Sequence, residues 1–135
     1  MDIHFSDFFA SYDAAWNQRD AEAFTGHFTE DASAIFFMLD GKKNTLNSRA
    51  EMLAFYVPSF QSLLSRPTVT HKTEIDRTQN LTPDLMLVDG EALITEQNAE
   101  GKSSPIRKWA VSFLLTKTIT GWKVFSLRAS DRPLT

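Results

Sequence analysis

Apolar residues open the chain in a helical pattern. From Phe5 to Gln18 they recur every three or four positions, as expected for a helix with one buried face. The members of this stripe are Phe5, Phe8, Phe9, Tyr12, Ala15 and Trp16. The polar stretch 17–20 interrupts it, and Asp20 is suited to cap a second, shorter helix. The inner side of that helix should carry Ala21, Phe24 and Phe28.

A third helix is predicted after Ser48-Arg49-Ala50-Glu51, a capping box in which the serine and glutamate side chains bond each other's backbone N–H groups. Its inner face should consist of Met52, Phe55, Tyr56, Phe60 and Leu63. Pro58 falls within this helix, where it removes one intrahelical hydrogen bond and clashes with the preceding turn. We therefore expect a kink or an early end near Val57.

Runs rich in β-branched and aromatic residues predict strands in the rest of the chain. The first extends from Ala32 to Met38 and ends at Asp40-Gly41, a pair that favours tight hairpin turns. Four longer runs follow the third helix, at about Thr68 to Arg77, Leu85 to Gln97, Ile106 to Thr118 and Trp122 to Ser130. An antiparallel meander is the simplest arrangement of these four strands.

Helices followed by strands predict an α+β fold, because neither layer can bury its apolar face alone. We expect one domain over residues 1–135, in which a curved antiparallel sheet wraps around the three helices as a cone-shaped α+β barrel. Inward-facing residues on the third long run should be Arg107, Trp109, Val111, Phe113 and Leu115, since side chains alternate along a strand. Alternation on the last run should place Leu127, Ala129 and Asp131 inward as well.

Charge and composition narrow the possible partners. The formal net charge is −3, with no basic stripe, which disfavours nucleic acid as a partner. The chain has no cysteine, so disulfides and thiolate metal sites are excluded. No close His and carboxylate cluster is apparent either, and we expect no metal and no other cofactor. Without an apolar run of roughly 20 residues or a leader-like start, we expect no membrane association and a cytoplasmic location.

Two segments resemble the nuclear transport factor 2-like superfamily, which includes SnoaL-like and ketosteroid isomerase-like proteins with a cystatin-like cone fold. The first segment runs from Tyr12-Asp13-Ala14-Ala15-Trp16-Asn17-Gln18-Arg19-Asp20 to Phe28-Thr29-Glu30-Asp31-Ala32. The second is Gly121-Trp122-Lys123-Val124 with the strand that follows it. The resemblance covers nearly the whole chain and implies the cone fold. It does not imply one activity, because this fold carries isomerases, dehydratases, hydrolases and non-catalytic modules.

The resemblance implies an incomplete set of known catalytic groups. Aligned with ketosteroid isomerase, Tyr12 matches the tyrosine that donates to the enolate, whereas Phe36 falls at the position of the aspartate base and Val111 near the second donor. The epoxide hydrolase pattern of an arginine and an aspartate two residues later is broken, since Trp109 follows Arg107. Dehydratases of this fold use paired histidines on the sheet. Of His4, His27 and His71, only His71 lies on a predicted strand.

Three residues remain as catalytic candidates. Tyr12 needs a partner for its hydroxyl, either a ligand or a backbone carbonyl group. Asp131 is the best candidate for a general base, with a solvated strand-end acid as the alternative. His71 is a further candidate base or an ordinary strand residue. Arg107 should lie at the mouth of the pocket, where it binds an acidic or phenolic ligand group or pairs with a carboxylate such as Asp131.

These features lead to two alternative functions. In the first, a small, partly hydrophobic molecule binds in the cone, with or without acid–base isomerisation, dehydration or cyclisation. The residues expected to line this pocket are Trp16, Phe36, Met38, Tyr56, Phe60, Arg107, Trp109 and Phe113. In the second, the chain is a non-catalytic homodimerising module. The strand from Leu85 to Gln97 has apolar residues of both parities, which suggests a sheet covered on both faces and a homodimer formed through it.

Overall fold

The computed structural model describes residues 5–134, in which three helices pack against a curved sheet of six strands. The helices are α1 (Phe5–Asn17), α2 (Ala21–Thr25) and α3 (Arg49–Leu63). The strands are β1 (Phe28–Phe37), β2 (Lys43–Leu46), β3 (Val69–Thr82), β4 (Leu85–Gln97), β5 (Ser103–Thr118) and β6 (Gly121–Arg132). The predicted α+β class is confirmed. Within the described range, no helix is long and apolar enough to cross a membrane.

The strand order is β2-β1-β6-β5-β4-β3. The predicted antiparallel meander of the last four strands is confirmed, since β3, β4, β5 and β6 pair in succession. The sheet is mixed rather than purely antiparallel, because β1 lies parallel to β6. A parallel pair requires a long connection, and here β2, α3, β3, β4 and β5 together form it.

Two boundaries near the N-terminal half differ from the prediction. Phe28 begins β1 instead of lying on α2, since α2 is capped at Gly26 and the His27 carbonyl accepts a bond from Val124 N–H at 2.8 Å. Lys43–Leu46 forms the edge strand β2 after the predicted turn, where Gly41 has φ 88°. This strand was not predicted because three of its four residues are polar, so it lacks an apolar repeat.

The third helix begins at the predicted cap. The Ser48 hydroxyl accepts from Glu51 N–H at 3.1 Å, while Glu51 Oε1 accepts from the N–H of Asn47 rather than that of Ser48. The expected early end near Val57 is wrong, because α3 includes Pro58 and continues to Leu63. Phe55 is 39% exposed and is not part of the buried face, which contains Met52 and Phe60.

The core lies between the helices and the inner face of the sheet. Its fully buried large side chains include Phe24, Phe28, Met52 and Phe113. The alternation predicted for β5 agrees with the observed burial, and on β4 the inward residues are Met86, Val88, Gly90, Ala92 and Ile94. The side chain of Phe5 and all of His4 lie outside the described residues.

Helix α1 covers β3, which has a sheet neighbour on one side only. Asn17 bridges the backbone of His71, accepting from its N–H at 2.8 Å and donating to its carbonyl at 3.2 Å. Arg19, in a left-handed conformation with φ 59°, donates to the carbonyls of Arg66 and Val69 at 2.8 and 2.9 Å. These contacts satisfy backbone groups that an open strand edge leaves unpaired.

Candidate functional site

Two adjacent cavities lie between the helices and the inner face of the curved sheet, in the space that we call the cone. We call the first, of about 60 Å³, the inner cavity, and the second, of about 330 Å³, the vestibule. Their shared wall consists of Trp16, Phe36, Tyr56, Ile94 and Trp109. The inner cavity is further lined by Tyr12, Phe24, His71, Ala92, Val111, Phe113, Leu127 and Ala129. The vestibule is further lined by Met38, Asn44, Phe55, Ser59, Phe60, Leu63 and Arg107.

Two larger grooves, of about 660 and 570 Å³, lie outside the cone and are bordered by the helices. They are more open than the cavities of the cone, and charged or polar residues supply much of their lining. Small-molecule sites are concave, mostly apolar and equipped with a few polar groups. The cone fits that description better than either groove, so it is the candidate site.

A histidine and a carboxylate meet at the inner cavity. His71 on β3 is 8% exposed, and its Nδ1 lies 2.9 Å from Oδ1 of Asp13 on α1. The same carboxylate accepts from the N–H and the hydroxyl of Thr73, each at 2.8 Å. A carboxylate accepts hydrogen bonds, so this contact favours the imidazole tautomer that carries its proton on Nδ1, and in that tautomer Nε2 keeps a lone pair.

The second ring nitrogen of His71 is available to a ligand. Among the described residues, nothing forms a hydrogen bond with Nε2 of His71 or with the hydroxyl of Tyr12. In the described part of the chain, no fully buried side-chain nitrogen or oxygen lacks a partner, so both atoms are accessible. Both residues line the inner cavity. A molecule in that cavity can therefore contact both polar atoms.

Aromatic rings fix the position of the imidazole. The Trp16 ring stacks on His71 with the ring centroids 5.1 Å apart and an angle of 29° between the planes. Tyr12 approaches the imidazole edge-on, with the ring centroids 6.1 Å apart. Burial raises the pKa of Tyr12 well above its ordinary value, with smaller contributions from Tyr56 and Asp13. Burial also raises the pKa of Tyr56, so both phenols remain protonated near neutral pH.

At the vestibule, Arg107 pairs with Asp131. Nη2 of Arg107 donates to Oδ2 of Asp131 at 2.7 Å, and the guanidinium carbon lies 4.7 Å from the centre of the Trp109 ring. The Asp131 side chain is 10% exposed and that of Arg107 is 40% exposed. Asp131 is thus already engaged by a cation, and it lines neither the inner cavity nor the vestibule.

The structure places every predicted site residue except Asp131 on the lining of the cone. Tyr12, His71 and Phe113 line the inner cavity, whereas Met38, Phe60 and Arg107 line the vestibule. The predicted residues on the shared wall are Trp16, Phe36, Tyr56 and Trp109. The sequence analysis did not single out Asp13. This residue lies one helical turn before Asn17, so the two form a polar pair on one side of α1, and that pair is the signal that could have identified it.

Among residues 5–134, His71 and Asp13 form the only pair of a histidine with a carboxylate. His27 donates from Nδ1 to the carbonyls of Ala23 and Phe24 and accepts from the Ser11 hydroxyl at Nε2. Burial is the main cause that lowers the pKa of His27, and Lys123 contributes to the same shift. Within residues 5–134, no group of three or more His, Cys, Asp or Glu residues could hold a metal ion.

The curved sheet, the three helices and the apolar cone define an NTF2-like protein of the α+β class. The chain belongs to the family described as NTF2-like protein (DUF6841), whose sequence profile matches residues 2–132. The resemblance seen in the sequence is therefore confirmed at the level of the superfamily.

Many solved structures share this fold, and three of them illustrate it. A domain of unknown function with a cystatin-like fold from Nostoc punctiforme has a TM-score of 0.74 and 22% identity, covering 96% of this chain and 75% of its own. A ketosteroid isomerase-like protein from Erwinia carotovora atroseptica has a TM-score of 0.67 and 23% identity, covering 95% and 93%. An NTF2-like protein from Novosphingobium aromaticivorans has a TM-score of 0.71 and 16% identity, covering 94% and 79%. These identities establish the fold alone, and no curated protein matches the chain.

Proposed function

We propose that this chain binds a small, partly hydrophobic molecule in the cone and transfers a proton to or from it at Nε2 of His71. The observation that carries the proposal is the 2.9 Å contact between Asp13 and Nδ1 of His71, which leaves Nε2 accessible in an apolar cavity. A general base needs a lone pair within reach of its substrate and a group that stabilises the protonated form. The Asp13 carboxylate fulfils the second requirement.

The proposed reaction is proton abstraction next to a carbonyl group. Nε2 of His71 removes the C–H proton, the electron pair moves onto the carbonyl oxygen, and the imidazolium that forms is stabilised by Asp13. The protonated hydroxyl of Tyr12 donates to the resulting oxyanion. In a substrate with a carbon–carbon double bond next to the α-carbon, the proton returns to the far carbon of that double bond, the double bond moves into conjugation with the re-formed carbonyl group, and the isomerisation is complete. The fold match to a ketosteroid isomerase-like protein supports this class of reaction, with the base on β3 because Phe36 of β1 cannot accept a proton.

Exchange of an activated C–H proton tests this proposal without knowledge of the natural substrate. We expect the protein to bind 2-tetralone and to accelerate exchange of its α-protons in D₂O, followed by NMR. The His71→Ala variant should lose about 100- to 10,000-fold of that rate, the usual contribution of a general base. His27→Ala is the matched control, because His27 lines neither cavity of the cone, and it should exchange like the unmodified protein.

Three results would contradict the proposal in different ways. Binding of 2-tetralone without accelerated exchange would refute the proton transfer and retain a binding function. Equal exchange by the unmodified protein and the His71→Ala variant would assign the base to another residue. Absence of binding to 2-tetralone would remove the support for a small, partly hydrophobic ligand.

A second candidate function, homodimerisation through the sheet, is favoured by the outer face. Its apolar residues alternate with the buried inner ones on β4 and β5, and they include Leu85, Leu87, Leu93 and Leu114, all only partly buried. Leu87 lies directly opposite Leu114 in the strand register. Partly exposed apolar side chains on the outer face of a sheet favour an interaction surface.

Charges on the outer face are complementary under two-fold symmetry. Asp89, Ser112 and Arg128 lie in one row across β4, β5 and β6. A two-fold axis parallel to β5, between two facing sheets, places β4 of one copy over β6 of the other. Asp89 of each copy then meets Arg128 of its partner. The Ser112 hydroxyl already holds Oδ1 of Asp89 at 2.5 Å, which orients the carboxylate.

Charge reversal tests this arrangement. We expect the unmodified protein to be a dimer at micromolar concentration, and we expect Asp89→Lys or Arg128→Glu alone to be monomers near 15.3 kDa by light scattering. Like charges facing each other across an interface cost several kcal/mol. An equimolar mixture of the two variants should restore the dimer, because the introduced lysine then faces the introduced glutamate. A dimer in each single variant would place the interface elsewhere.

A further inference from the structure

The guanidinium group of Arg107 lines the vestibule, and only part of its N–H groups form hydrogen bonds with described residues. Nη2 of Arg107 donates to Asp131, whereas no described residue accepts from Nε or Nη1. The guanidinium carbon of Arg107 lies 4.7 Å from the centre of the Trp109 ring. The Arg107 side chain is 40% exposed and lines the vestibule. A guanidinium fixed by an acid and an aromatic ring is oriented before a ligand arrives, and its remaining N–H groups are available to an oxygen acceptor.

We propose that Arg107 selects ligands that carry an uncharged oxygen acceptor, such as a second carbonyl group, on the end that remains in the vestibule. The inference rests on the proposed function, because the first carbonyl group is the one that contacts Tyr12 near His71. Tyr12 and His71 line the inner cavity, whereas Arg107 lines the vestibule. The ligand therefore has a polar group at each end and an apolar body between them.

The acceptor is uncharged because Asp131 already compensates the charge of Arg107. The Asp131 side chain is 10% exposed, and its Oδ2 lies 2.7 Å from Nη2 of Arg107. A ligand carboxylate would add a second anion beside this pair and would be repelled by Asp131. A ketone or ester carbonyl accepts the same hydrogen bonds without that repulsion.

The wall shared by the two cavities indicates the shape of the ligand body. Four of its five residues are aromatic, and the rings of Phe36 and Trp109 meet edge-on with their centroids 5.4 Å apart. Flat rings gain additional stabilisation from edge and face contacts with such side chains. We therefore assign the ligand to the class of planar, uncharged carbonyl compounds with an oxygen acceptor at both ends.

Three probes of one shape test the assignment: 2-tetralone, its 6-acetyl derivative and its 6-carboxylate derivative. Calorimetry should show that the 6-acetyl compound binds about tenfold more tightly than 2-tetralone, as expected for one hydrogen bond to a charged group. The carboxylate should bind more weakly than the acetyl compound, because Asp131 repels it. The double variant Arg107→Met with Asp131→Asn removes both charges together, leaves no charge uncompensated, and should lose most of the advantage of the acetyl group.

The single variant Asp131→Asn provides the opposite test. It leaves the charge of Arg107 uncompensated, so the carboxylate should now bind about tenfold more tightly than the acetyl compound. An acetyl advantage that survives in the double variant would overturn the role of Arg107. A carboxylate preference in the unmodified protein would overturn the selection for uncharged groups. Failure of all three probes, 2-tetralone included, would overturn the proposed function as well, whereas equal binding of all three would overturn only this inference.

Discussion

Replacement of Asp13 by alanine should lower the free energy of unfolding by about 3 kcal/mol or more, because each buried donor left without its acceptor costs about 1 to 3 kcal/mol. The Asp13 side chain is 14% exposed and accepts three hydrogen bonds, one from His71 and two from Thr73. Its loss would leave these donors without their acceptor and would leave Asn17 as the remaining polar link between α1 and β3. Urea unfolding followed by circular dichroism measures the change.

The Asp13→Asn variant is the matched control for this prediction. Its side chain has nearly the same shape and keeps one acceptor oxygen, so it should be destabilised less than Asp13→Ala. If Asp13→Ala unfolded at the same urea concentration as the unmodified protein, the carboxylate would not hold α1 on β3, and the orientation of His71 would require another explanation.

Alanine at Gly90 should be similarly disruptive, with an expected loss of about 3 kcal/mol, at the upper end of the usual cost of overpacking. A Cβ at this position would lie 2.1 Å from the carbonyl oxygen of Glu74 and 3.1 Å from Cα of Ile75. Both are backbone atoms of β3, next to the register shift between Ile75 and Arg77. The strand would have to move away from β4, because backbone atoms cannot rotate aside as a side chain does.

Gly41→Ala separates this steric effect from the conformational cost of losing a glycine. Gly41 has φ 88°, and a Cβ there would meet no atom within 4 Å. Its replacement should cost only about 1 to 2 kcal/mol, from the left-handed backbone alone. Equal losses in the two variants, measured by urea unfolding, would contradict the close approach of β3 to Gly90.

Local patterns predicted most of the secondary structure. Helical spacing from Phe5 to Trp16, the Asp20 and Ser48 caps and the alternation along β5 depend on residues close together in the chain, and each has the predicted counterpart in the fold. The boundary at Phe28 shows the limit of such patterns. A large apolar residue four positions after Phe24 fits the buried side of a helix as well as the start of a buried strand.

Contacts between distant segments required the tertiary structure. Asp13 and His71 are 58 residues apart, and only the packing of α1 on β3 makes Asp13 the partner of His71. The parallel pairing of β1 with β6 likewise depends on the path of the whole chain between them. The sequence by itself determined which residues are apolar, which turns and caps form, and which β5 side chains point inward. The tertiary structure decided which acid holds His71 and that the candidate base Asp131 is bound to Arg107, because strand order and helix packing result from cooperative burial of the whole core.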